Sequence, residues 1–184
     1  VPYSNASFKD ILDLFDEFPT CKATFFVISS YVNDSNRHLL LRALKSGHHL
    51  ANHGRTSNMH ALFGHDSLHA EIEHCQSLLR ELYREAEVDF PKVNYYRPGS
   101  GYVSKVIYEY CEKNNYRIVL GSNYCSDPHI PIPVLNEWYI MKHLRNNDII
   151  ILHDRSWSLS LFKNLFLNRK LQTSNLLNYR DDKE

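Results

Sequence analysis

Glycine and proline are scarce in this chain, six and seven residues among 184, which excludes collagen-like and low-complexity classes. Charge of one sign is missing as well. Twenty-one Lys and Arg offset twenty-one Asp and Glu, so no net field draws the chain to nucleic acid or anionic lipid. A small or uncharged partner is expected. Only four cysteines occur (Cys21, Cys75, Cys111, Cys125), none in a C-x-x-C pair, which removes zinc ribbons and thioredoxin-like motifs and favours reduced core thiols. No run of about 18 apolar residues exists to span a membrane. The opening VPYSNASFKD lacks the basic-then-apolar order of a secretory signal. It also begins without Met, so upstream residues are expected to be missing from it and location is not read from this end.

What is present is a globular composition, 43% hydrophobic, with enough length for one core. Phe8, Ile11, Leu12, Phe15 and Phe18 recur at three- and four-residue spacing and predict a helix over 8–18, with Ser4 or Asn5 as its cap. The apolar, β-branched and aromatic run 23–29 predicts a strand buried on both faces. Further helices are expected over 36–46 (stopped by Gly47), 67–86, 104–114, 134–144 and 159–167. Strands are expected over 49–52, 93–97, 116–121 and 148–153. Alternation at this pitch argues for an α/β fold with a parallel sheet, open or closed into a barrel. Residues 1–177 are expected to form a single domain, and 178–184 a charged, frayed tail.

In parallel α/β folds, active sites are built just past the carboxyl ends of strands. Four expected strands end in chemistry: at His53, at Arg97 in RPGSG, at Asp127 and at His153-Asp154. His53 and His60 lie in the turn-forming stretch NHGRTSNMH, and a loop can fold both imidazoles onto one ion. His153 follows three isoleucines and a leucine, at a cleft floor where it can act as general acid or base. Asp127 is a candidate to orient that histidine, and Arg97 to hold a carboxylate. Competing groups read differently. His65, His69 and Glu73 have helical ligand spacing but belong to the solvated side of their helix. Trp138-Tyr139 reads as helix packing, whereas Trp157 is a candidate to line a cleft.

The segments KATFFVIS (22–29), GHHLANHG (47–54), YRPGSG (96–101), YRIVLGSNYCSDP (116–128) and DIIILHD (148–154) resemble, in order and spacing, successive motifs of the polysaccharide deacetylase or NodB-homology family. RPGSG, VLGS followed by DP, and IIILHDR look most like its eukaryotic, fungal-type, chitin deacetylase-like branch. Residues 173–177 resemble the closing strand and turn. The resemblance implies a distorted parallel (β/α) barrel and a divalent metal, zinc by type. It implies hydrolysis of N-acetyl groups on an amino-sugar glycan such as chitin or peptidoglycan. His53 and His60 would hold the metal, Arg97 would orient the catalytic base, Asp127 would tune the acid, and His153 would protonate the departing amine. Ser100, Gly101, Tyr124 and Trp157 would contact substrate.

Three departures accompany the resemblance. The family's first strand, ending in an aspartate pair, has no counterpart after Val1, so the barrel is expected to be N-terminally truncated. Ser57 stands where a second histidine is usual, leaving His60 to replace it. Gly99-Ser100 replaces a Pro-aromatic pair. The alternatives are therefore a catalytically silent barrel that binds glycan or protein, another amide hydrolase, or a fragment with an exposed core.

Overall fold

The computed structural model describes residues 1–168 and 171–178, and the tail expected from 178 lies, from residue 179 on, outside the described residues. The chain folds as two compact units, Thr24–Leu120 and a second made of Val1–Ala23 with the chain from Gly121 onward.

In the Thr24–Leu120 unit, strands β1 (Thr24–Val27), β2 (His49–Asn52), β3 (Asn94–Tyr96) and β4 (Tyr116–Ile118) form one parallel sheet in chain order. Helices α2 (Arg37–Lys45), α3 (His65–Glu85) and α4 (Lys105–Lys113) make the crossovers that parallel pairing requires. β1 and β2 pair in register from Thr24 with His49 to Val27 with Asn52, and all four β2 residues are buried. Gly47, in the left-handed region with φ 81°, ends α2 as its sequence position predicts. Ser104 caps α4 by accepting from the Ile107 N–H. α3 starts two residues before the expected Ser67, with Asp66 in its first turn, where the helix dipole favours an acid. Leu68, Ile72, Tyr96, Ile107, Tyr110, Cys111 and Tyr116 form a core cluster of this unit.

In the other unit, α1 (Asn5–Glu17) is capped by Ser4 and buries Phe8, Ile11, Leu12 and Phe15. Phe15 meets Phe166 edge-on at 5.2 Å between ring centroids. Strands β5 (Asn123–Tyr124) and β6 (Ile150–Ile151) pair in parallel, and α5 (Pro133–His143) and α6 (Ser158–Lys163) complete the unit. A π-helical turn over Asn164–Asn168 follows α6. Cys125, Ile140, Leu161 and Leu165 cluster beneath these elements. All four cysteines are free and buried. No helix among the described residues is long and apolar enough to cross a membrane.

Three sequence expectations are corrected here. The strand expected over 148–153 is only the pair Ile150–Ile151, because only Asn123 and Tyr124 of the neighbouring loop pair with it. Residues 173–177 form no strand: one backbone bond, from Lys22 N–H to the Thr173 carbonyl, precedes a 3-10 turn over Leu176–Asn178. Trp138 and Tyr139 do not pack inward; they are 54% and 38% exposed. α5 instead turns Asn136 and Glu137 inward, where Asn136 donates to the Ile130 carbonyl and Glu137 accepts from Asn164. Lys142 lies over the Trp138 ring at 4.7 Å.

Candidate functional site

Parallel pairing of β5 with β6 brings the residues past their carboxyl ends together, and these include Asp127 and His153. Ser126, in the left-handed region with φ 60°, turns the chain there, and its carbonyl accepts from the His129 and Ile130 N–H groups. Asp127 is 0% exposed. Burying a carboxylate is costly unless its oxygens are hydrogen-bonded, and here they are. Oδ1 accepts from His153 Nδ1–H at 2.9 Å. Oδ2 accepts from the His153 backbone N–H at 2.8 Å and the Ser158 hydroxyl at 3.3 Å. The Trp157 indole N–H donates to the Asp127 carbonyl at 2.9 Å.

The His153 side chain is 30% exposed. With Nδ1–H pinned to Asp127, its tautomer is fixed and Nε2 is the nitrogen left to give or take a proton. Tyr124 meets the His153 ring edge-on at 6.2 Å. Asp127, His153, Trp157 and Tyr124 are therefore one contiguous group. Ser158 belongs to it and was missed by sequence reasoning, since a serine in the first turn of a short helix carries no distinguishing signal.

A second group sits at the ends of β2 and β3. Asn52 is buried; its Oδ1 accepts from the Gly54 N–H and its Nδ2 donates to Gln76 and to the Ile72 carbonyl, which fixes the turn out of β2. His53 follows, half-buried, and its Nδ1–H donates to the Arg97 carbonyl at 2.5 Å. Burial pushes the pKa of its imidazole down to about 3, against that hydrogen bond, with the Arg97 charge adding to the depression. Arg97 is tied in turn by its own N–H to the Asn52 carbonyl. Ser100 (φ 61°) and Gly101 (φ 72°) carry the turn after it, with Ser100 exposed.

His60 is 0% exposed. Its Nδ1 accepts from the Tyr96 hydroxyl at 2.7 Å and from the Gly99 N–H at 3.0 Å. Its Nε2–H donates to the Thr56 carbonyl at 3.1 Å, with Glu71 Oε2 3.5 Å away. Burial lowers its proton affinity, Glu71 opposing. A neutral imidazole has one donor and one acceptor, and both are engaged. This corrects the expected His53–His60 metal pair: in this arrangement His60 has no nitrogen to give. Ser57 adds none, its hydroxyl oxygen accepting from Tyr31. No group of three or more His, Cys, Asp or Glu among the described residues is placed to hold a metal ion. The residues present do not fit the zinc-type site. Tyr96 was missed although it closes a strand directly before Arg97, a position that signals a site. His69 and Glu73 are joined through the Tyr110 hydroxyl, a packed surface network rather than a ligand pair.

A sequence model described as polysaccharide deacetylase matches residues 2–119. A curated relative, the peptidoglycan-N-acetylglucosamine deacetylase of Bacillus cereus, is 27% identical over 154 residues, covering 78% of this chain and 64% of that protein. Among solved structures, a CE4 family pseudoenzyme from Bacillus anthracis superposes with a TM-score of 0.85 at 16% identity, over 99% of this chain and 63% of its own. The peptidoglycan deacetylase PdaC of Bacillus subtilis gives 0.79 at 19% identity, over 94% and 82%. The chain thus spans less than two thirds of the first two proteins' lengths, and at these identities the structures speak for fold: a parallel α/β architecture of the carbohydrate deacetylase type.

Proposed function

Because the chain belongs to the polysaccharide deacetylase family, we propose that it serves the removal of N-acetyl groups from an amino-sugar glycan, with His153 as general acid. The observation that carries this reading is the buried Asp127 carboxylate holding His153 Nδ1 at 2.9 Å. Hydrolysis adds water across the amide C–N bond, releasing acetate and leaving an amine. That amine departs only once its nitrogen is protonated. His153 Nε2 is the proton carrier suited to the step, and Asp127 stabilises the imidazolium before transfer. Arg97 would hold an anionic partner, and Tyr124, Trp157, Ser100 and Gly101 would contact the sugar. The divalent metal implied by the family finds no fitting ligand set here, so no step is assigned to it.

Within the family, RPGSG and IIILHDR favour the eukaryotic, fungal-type branch, which makes chitin oligomers the first substrate to try and peptidoglycan the second. The test is acetate release from each by this chain and by any longer form of the protein. A second reading, glycan or protein binding without turnover, is favoured by one observation, the full engagement of His60. The Bacillus anthracis protein that shares this fold is described as a pseudoenzyme, which supports the absence of turnover in that reading. Chitin-oligomer binding that survives a chelator, without acetate release from any form, would select it.

A further inference from the structure

We propose that His53 and His60 form a clamp on the segment Arg97–Gly99, so that the two histidines position Arg97 and do not chelate a metal together. His53 grips the Arg97 carbonyl through Nδ1–H. Two residues on, His60 Nδ1 receives the Gly99 N–H. The segment is thus held by its acceptor on one histidine and its donor on the other.

The fit around His60 leaves little room for a different ring position. A Cβ on Gly54, whose φ is +82°, would stand 2.5 Å from His60 Cε1. A Cβ on Gly99 would stand 1.9 Å from the Asn58 carbonyl oxygen, so the two loops meet backbone to backbone at the clamp. The ring lies near-parallel to Tyr96, with centroids 6.1 Å apart. Ligation through Nδ1 would strand the Gly99 N–H and the Tyr96 hydroxyl, and ligation through Nε2 would remove the proton that Thr56 accepts. The clamp stands on this geometry alone; only its purpose, fixing Arg97 for the reaction, rests on the deacetylase reading.

Nitrogen-detected NMR of the imidazoles in the unmodified chain tests it. His60 is expected in the Nε2–H form, with ring signals unchanged by one equivalent of Zn2+. A shift or loss of the His60 nitrogen signals at that equivalent, alone or together with those of His53, while the remaining histidines stay unmoved, would overturn the clamp. A second readout is amide exchange. Tyr96→Phe, which removes only a hydroxyl, and His60→Gln should each speed Gly99 N–H exchange by about tenfold or more while Asn123 and Ile150 in the other unit keep wild-type rates. Gly99 exchange unchanged in both variants would also overturn it. Failure of acetate release with the His60 signals as expected would remove the deacetylase reading and leave the clamp standing.

Discussion

Two histidines, His153 and His60, each lie beside a carboxylate, yet their surroundings fit them for opposite work. His153 gives one nitrogen to Asp127 and keeps the other on a ring that is 30% exposed. His60 is sealed and spends both nitrogens on Tyr96, Gly99 and Thr56, with Glu71 too far for a good bond at 3.5 Å. Residue type and a neighbouring carboxylate are common to the two regions. Leftover hydrogen-bonding capacity and access to solvent separate a histidine able to move protons from one that holds loops together.

The sharpest way to break this contrast is Asp127→Asn. Its amide cannot replace a carboxylate that accepts from three donors, and a wrong His153 tautomer should slow deacetylation by about 10²–10⁴-fold. A rate within threefold of wild type would remove the dyad from the mechanism. His60→Gln should instead act on stability, lowering the unfolding free energy in urea by about 2–4 kcal/mol through stranded buried partners. A loss below about 0.5 kcal/mol would show that the clamp contributes nothing to the fold.

Buried histidines of the β-sheet unit also set an acid limit. His49, 1% exposed on β2, is pushed down to about 4 by burial from an ordinary 6.5. As pH falls from 6.5, the unfolded chain takes up the proton first. The stabilisation is therefore complete above about 6.5 and lost progressively towards 4, by about 3 kcal/mol from this residue. His49→Gln should flatten that acid limb in pH-dependent melts, and an unchanged limb would assign it elsewhere. The smallest effect is expected for Trp157→Phe, which removes one N–H from the Asp127 carbonyl: about 1 kcal/mol of stability and several-fold in rate.

Much of this was legible in the sequence, and what was lost has physical causes. The periodicity of Phe8, Ile11, Leu12 and Phe15 and the apolar run at 23–29 mark α1 and β1, because local pattern and burial agree there. Strand-end position marked Asp127 and His153 for the same reason. β5 was lost because two residues carry no alternation. α5 misled because its inward face mixes Ile140 with the polar Asn136 and Glu137, which are satisfied by the Ile130 carbonyl and by Asn164, and no periodicity announces such partners. The role of His60 hid for a related reason: its partners Tyr96 and Gly99 lie 36 and 39 residues away, and ring-nitrogen accounting needs their positions.

The most direct test of the catalytic assignment is acetate release from chitin oligomers by the wild type and by His153→Ala, at matched concentrations of folded protein. Release by the wild type, slowed at least about a hundredfold in the variant while its melting temperature stays within about 2 °C, is the expected result. Equal rates from the two proteins, or no release from the wild type in any form, would contradict it.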